Sequence, residues 1–159
     1  MRKILFLIFL VLVGCDKPTD FSRDALQEKL VNTNQQELIF KNILTKHKGN
    51  KILIDVWASW CKDCIVTLPD LKKIQDKNPD VHFVFLSLDK SLKRWKRAIE
   101  HFQIVGDHYF MIEGKNGVLG DFLGLWWIPR YIVVNESGAI TLFKSTKITD
   151  KNILEAFKK

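Results

Sequence analysis

Residues 51–64 read Lys-Ile-Leu-Ile-Asp-Val-Trp-Ala-Ser-Trp-Cys-Lys-Asp-Cys, an apolar, β-rich run that ends at two cysteines with two residues between them. Lys51 to Trp57 has the length and residue types of a buried strand, and a helical pattern begins at Lys62. Cys61 therefore stands where a strand gives way to a helix. There its thiol meets unpaired backbone N–H groups and the positive end of the helix dipole, and both favour thiolate over thiol. A thiol pKa below the free value of roughly 8.5 is expected. Lys62 adds to that preference and Asp63 opposes it. Cys64 lies about one helical turn further on, close enough to close a small disulfide and deep enough in the helix to be shielded. The pair is suited to cycling between dithiol and disulfide, with Cys61 as nucleophile and Cys64 as the thiol that resolves a mixed disulfide.

Two blander uses of such a pair compete. A structural zinc needs four ligands, and His47, His82, His101 and His108 are scattered along the chain, so no metal site is expected. A purely structural disulfide across so short a loop removes little unfolded-state entropy. Redox exchange is the stronger reading, and it requires no cofactor beyond the Cys61–Cys64 disulfide itself. Asp55 is the other notable residue of the stretch. A carboxylate in the middle of an apolar strand is costly unless it has a partner or a task, the alternative being an Asp turned outward from a half-exposed strand.

Upstream, Ser22 to Val31 has a helical pattern opened by a capping serine. Glu37 to Lys46 reads as a second helix, stopped by Gly49. Downstream, Lys62 to Lys77 is predicted as one helix with a kink at Pro69. Val81 to Leu88 reads as a central strand and Leu92 to Phe102 as a crossover helix, which together give a parallel, right-handed unit. Along that helix Lys90, Lys93, Arg94 and Arg97 share one face, with Lys96 nearby, and Leu92, Trp95, Ile99 and Phe102 share the other. This is the pattern of a solvated face over a packed one, with contact to anionic lipid as the lesser reading. Gly106 to Trp127 is punctuated by glycines and carries a short helix at Val118 to Leu123. Arg130 to Val134 and Ala139 to Phe143 read as strands joined by the hairpin signal Asn135-Glu136-Ser137-Gly138, and a last helix runs from Thr149-Asp150 to Phe157. Trp126 and Trp127 cannot both enter one core from an extended stretch, so at least one is expected at the surface, as a candidate anchor for a protein partner.

The 159 residues are 47% apolar, enough for one packed domain. Arg2-Lys3 and the ten apolar residues Ile4 to Val13 read as an export signal too short to span a bilayer. Without Arg2 and Lys3 the chain has 23 basic and 18 acidic side chains, a surplus of five in place of the formal +7. So mild a surplus, without interleaved aromatics, does not suggest a nucleic-acid partner. Leu12-Val13-Gly14-Cys15 resembles a bacterial lipobox, which implies cleavage before Cys15 and lipid on that cysteine. The remaining two cysteines then form a pair with no free thiol left over. Asp16 to Asp20 is a short polar tether of about 20 Å reach when extended.

Asp55-Val56-Trp57-Ala58-Ser59-Trp60-Cys61-Lys62-Asp63-Cys64, with Leu68-Pro69 after it and Ile128-Pro129 far downstream, resembles thioredoxin-fold thiol-disulfide oxidoreductases, most closely the membrane-tethered TlpA/ResA-like branch. The likeness covers about residues 37 to 157. Ile128-Pro129 follows Cys64 by 65 positions (129 minus 64), a longer gap than in plain thioredoxin and similar to the insertion of that branch. The resemblance implies an α/β, three-layer fold with a central mixed β-sheet flanked by helices. It divides the chain into a signal peptide (1–14), a lipidated cysteine and tether (15–20), an N-terminal helical extension (21–36) and a thioredoxin-like domain (37–159). It also implies that Asp55 exchanges a proton with Cys64, and that Pro129 is a cis-proline facing the cysteines and offering backbone to an extended substrate. Trp60, Ile128, Trp126 and Trp127 are the substrate-binding candidates. The branch usually carries a glutamate three residues after the second cysteine. Here that position is Thr67, which leaves Asp55 as the candidate acid.

The function so implied is an extracytoplasmic, membrane-anchored oxidoreductase, on the periplasmic side, that reduces protein disulfides with electrons from an upstream donor. A disulfide-forming oxidant or isomerase is the alternative within the same chemistry. A copper-delivery module is the alternative outside it. Copper carriers of this fold add a downstream histidine, and none follows His108.

Overall fold

The computed structural model describes residues 17–159; the expectations for the signal stretch and for Cys15 lie outside them. Seven strands form one sheet: β1 (Lys29–Asn32), β2 (Glu37–Ile39), β3 (Lys51–Trp57), β4 (Val81–Ser87), β5 (Asp107–Met111), β6 (Arg130–Val134) and β7 (Ile140–Ser145). Their spatial order is β2-β1-β5-β4-β3-β6-β7. β3, β4 and β5 run parallel, and every other neighbouring pair is antiparallel, so the sheet is mixed as expected.

The helices are α1 (Arg23–Leu26), α2 (Phe40–Lys46), α3 (Lys62–Val66), α4 (Leu68–Lys77), α5 (Leu92–Phe102), α6 (Val118–Leu123) and α7 (Lys151–Ala156), with a 3₁₀ turn at Gly114–Asn116. They cover the two faces of the sheet, and strand alternation sorts the core into two layers. Ile52, Ile54 and Val56 of β3 pack with Phe40, Ile43, Leu119 and Leu123 on one side. Leu53 and Trp57 pack with Cys64, Leu71, Trp95 and Ile153 on the other, so the cysteines belong to the second layer. On α5, Trp95 and Ala98 are buried while Lys93, Arg94 and Arg97 face solvent, the expected solvated face over a packed one.

Four readings need correction. The helix opened by Ser22, whose Oγ accepts from the Ala25 N–H at 3.1 Å, stops after Leu26. The residues that follow form β1, because Leu30 is fully buried between β2 and β5 and the ladder there outweighs a weak helical period. Residues 21–36 are therefore only in part helical. Glu37–Ile39 likewise pairs with β1 before α2 begins. The helix after the cysteines breaks at Thr67 rather than kinking at Pro69. Proline sits in the first turn of α4, where no N–H is needed. Lastly, β5 falls in the glycine-punctuated stretch where only α6 was expected, and α6 has the expected bounds.

The chain enters the sheet firmly. The Ile140 N–H donates to the Thr19 carbonyl at 2.7 Å. Phe21 is buried against Phe40 and Phe122, with ring centroids 4.9 and 5.6 Å apart.

Candidate functional site

β3 delivers the cysteines. Its last residue is buried Trp57, and the turn Ala58–Trp60 brings Cys61 to the N-cap of α3, with φ −83° and ψ 101°. Cys61 and Cys64 are joined by a disulfide, their Cα atoms 5.3 Å apart. Cys61 Sγ accepts the Cys64 N–H at 3.1 Å, so a free backbone donor of the helix start points at the outer sulfur, as the strand-to-helix junction requires. Both cysteines are largely buried, Cys64 at 3% exposure and Cys61 at 7%. The outer sulfur forms the floor of an open groove of about 360 Å³.

The groove walls come from two loops. Trp60 stands on the near side, and Leu125, Trp126, Trp127 and Ile128 line the far side, with Lys62, Asp63 and Lys115 among them. Both Trp126 (86% exposed) and Trp127 (60%) face solvent, as does Trp60 (62%), which exceeds the one surface tryptophan that the sequence required. The Ile128–Pro129 peptide is cis, Pro129 is buried, and the Ile128 carbonyl lies 3.8 Å from Cys61 Sγ.

Beneath the cysteines, Asp55 is 4% exposed and stands opposite Tyr131 in the β3–β6 register, on the same face as Trp57. Its Oδ1 has no hydrogen-bond partner. Burial pushes its carboxyl up to about 8, so near neutral pH most of it is protonated. Burial also raises the Tyr131 phenol, and the neighbouring Asp55 adds to that rise. Thr67 closes the set: its Oγ donates to the Cys64 carbonyl at 2.9 Å and lies 3.2 Å from the Tyr131 hydroxyl.

Three supporting residues were not singled out from sequence. Asp89, buried after β4, accepts from Ser59 N–H at 3.0 Å, Ser59 Oγ at 2.5 Å and Ser87 Oγ at 2.9 Å, and so ties the cysteine turn to the end of β4. Only the register that sets Trp57 beside Ser87 brings these residues together, and no spacing along the chain signals it. Arg130 directly follows Pro129. Its buried guanidinium donates to the Gly124 carbonyl at 3.0 Å, which fastens the start of β6 to the loop bearing the tryptophans. Tyr131 carries no sequence signal beyond that of a strand residue. Of the scattered histidines, His47 and His82 come together, ring centroids 5.0 Å apart, at the pole of the sheet where β3 begins and so far from the cysteines. No group of three metal-ligating side chains occurs among the described residues.

Comparison with known proteins places this arrangement among relatives. Over 87% of its length the chain superposes on 88% of a protein from Bacteroides vulgatus described as a thiol-disulfide oxidoreductase, with TM-score 0.70 and 31% identity. It is 29% identical over 104 residues, 63% of this chain, to thioredoxin-like protein YneN of Bacillus subtilis. It is 27% identical over 116 residues, 70% of this chain, to thiol:disulfide interchange protein DsbE of Yersinia pestis. The chain spans 59% of the length of each of these two curated relatives. The model of a family described as thioredoxin-like matches residues 49–140, the segment from the approach to β3 to the start of β7. With that match over more than half of its length, the chain belongs to the thioredoxin-like family.

Proposed function

We propose that this protein is a thiol-disulfide oxidoreductase that reduces disulfides of partner proteins on the extracytoplasmic side of a membrane. The observation that carries the reading is a disulfide whose outer sulfur, on the floor of an open groove, receives a backbone N–H from the start of α3. On reduction that N–H stabilises the Cys61 thiolate. The thiolate attacks a partner's disulfide, one partner sulfur leaves, and Cys61 is held in a mixed disulfide. Cys64 loses its proton to Asp55 in its ionised form, attacks Cys61 Sγ and releases the second partner sulfur as the Cys61–Cys64 disulfide closes. Pro129 and the Ile128 carbonyl border the outer sulfur, where an extended peptide would lie. Trp60, Trp126 and Trp127 offer it apolar surface, and no cofactor enters this cycle.

Residues 1–14 are proposed as a cleaved signal and Cys15 as the lipidated anchor, with an upstream donor returning the pair to the dithiol. Mass spectrometry of the mature N-terminus in membranes should find diacylglycerol on Cys15; an unmodified, uncleaved Cys15 would remove the anchor. The reduction potential tests the direction. A couple more negative than about −200 mV fits a reductant, and a value near that of strong oxidants would reverse the direction.

A further inference from the structure

The position at which the resembled branch carries a carboxylate is filled here by Thr67, and the hydroxyls around it form a directed chain. The Thr67 Oγ donates to the Cys64 carbonyl at 2.9 Å, and since a carbonyl only accepts, the one proton of that hydroxyl is spent there. In the 3.2 Å contact between Thr67 Oγ and Tyr131 Oη either hydroxyl can donate, and the arrangement that satisfies the Cys64 carbonyl as well has the tyrosine donate. That order runs Tyr131 O–H to Thr67 O–H to Cys64 C=O. Tyr131 consequently has no proton to give to Asp55, its cross-strand neighbour, whose Oδ1 is buried and unpartnered.

From this geometry we infer that Tyr131 and Thr67 are positioning residues of the thiol exchange: while the disulfide is closed, Thr67 holds the tyrosine's proton at the Cys64 end, and Asp55 keeps its own. The inference rests on the proposed exchange at Cys61 and Cys64. In the resolving step one proton moves from Cys64 to the Asp55 carboxylate, the Cys61–Cys64 bond forms, and the bond from Cys61 to the partner sulfur breaks with its electron pair on the partner. The product is a closed disulfide beside a protonated Asp55. In that state an Asp55 without a donor and a tyrosine turned to Thr67 are mutually consistent. When Asp55 is ionised the phenol is drawn the other way, directly or through one water, because a hydrogen bond to a charged acceptor is the stronger one.

The groups that face Asp55 are few. β6 presents Tyr131 and β4 presents Phe85, while Cys64 and the indoles of Trp57 and Trp95, whose N–H groups are buried without a partner, belong to the same layer. Among the described residues burial is the cause of the high proton affinity of Asp55, and no lysine, arginine or histidine enters as a partner. Tyr131 is the hydroxyl that stands opposite Asp55 in the register, and its contact with Thr67 is what the test perturbs.

The test reads Asp55 directly, in the disulfide-bonded protein and without any turnover. A pH titration by infrared spectroscopy follows the protonated carboxyl band, which Asp55→Asn assigns by abolishing it. Thr67→Val frees the tyrosine proton for Asp55 and should lower the titration midpoint by about one pH unit or more, the worth of one hydrogen bond to a charged group. Tyr131→Phe should not lower it, and in the Tyr131→Phe background Thr67→Val should lose its effect. A purely structural Thr67 would shift the midpoint equally with and without the tyrosine hydroxyl. Such an equal shift, or no shift in Thr67→Val, would overturn the inference. If the protein proves unable to exchange disulfides, the functional reading fails separately, because the titration does not depend on exchange.

Discussion

Asp55 binds its proton more tightly in the folded chain than in the unfolded one, where a carboxyl titrates near 3.9. Folding is therefore favoured by that proton below about pH 4, and the contribution is lost as pH rises through about 8. Asp55→Asn removes the penalty of that buried acid. It should raise stability by a few kcal/mol above pH 8, at about 1.4 kcal/mol per unit of displaced pKa, and change it little near pH 4. Urea unfolding at the two pH values checks this, and a gain that does not depend on pH would place Asp55 in a solvated setting. The two cysteines differ in access as well as in order. Cys64→Ser should strand partner proteins on Cys61 as covalent adducts on non-reducing gels, whereas Cys61→Ser should trap few, because the inner thiol is shielded behind the outer one. The residues of this chemistry were readable because each breaks a local rule: paired cysteines at a helix start, a carboxylate in an apolar strand. Asp89 and Thr67 break none. Their importance comes from partners distant in sequence, Ser59 for one and Tyr131 for the other, so only the fold reveals it.

The elements around the cysteines were legible for a physical reason. β3 is buried along nearly its whole length and α5 has one packed and one charged face, so burial imprints an unbroken apolar run on the first and a helical period on the second. β1, β2 and β5 are three to five residues long, too short for a period to register, and their pairing decides their form. The join between α5 and β5 depends on Gly106. At φ 147° it occupies a backbone region that side chains avoid, and a Cβ there would lie 2.6 Å from the Phe83 carbonyl oxygen and 2.7 Å from the Phe85 ring. Gly106→Ala should cost about 2 kcal/mol or more in chemical denaturation, since neither backbone nor a packed ring can yield. A neutral outcome would mean that β5 docks with a different approach. Asp89→Ala should leave the Ser59 and Ser87 donors unpaired and cost about 1 to 3 kcal/mol, with faster amide exchange at Ser59 and Trp60 than at β4.

At the scale of the whole molecule, the outer sulfur and the tryptophans share one groove but offer different contacts, sulfur chemistry from one and apolar area from the others. Trp126→Ala or Trp127→Ala should weaken trapping of a protein partner by a hot spot's roughly 2 kcal/mol, while reduction of oxidised glutathione stays nearly unchanged. Equal losses for both would mean that the tryptophans serve the sulfur site itself. The sequence placed these residues beside the cysteines through the resemblance alone. That both tryptophans face outward follows from the loop, which Arg130 fastens at Gly124. The bond from Ile140 to the Thr19 carbonyl has a mechanical consequence. Ile140 pairs with Val134, which pairs with Ile52 at the start of β3, whereas Cys61 follows the other end of that strand. Thr19 is thus clamped at one pole and the sulfurs sit at the other, the seven residues of β3 separating them by about 20 Å. Four positions (19 minus 15) then remain as leash to Cys15, a reach of roughly 13 Å. Were Cys15 held in a bilayer, as proposed above, the leash and β3 together would let the sulfurs stand at most roughly 33 Å from it along the strand direction, which bounds the height at which a partner's disulfide can be met.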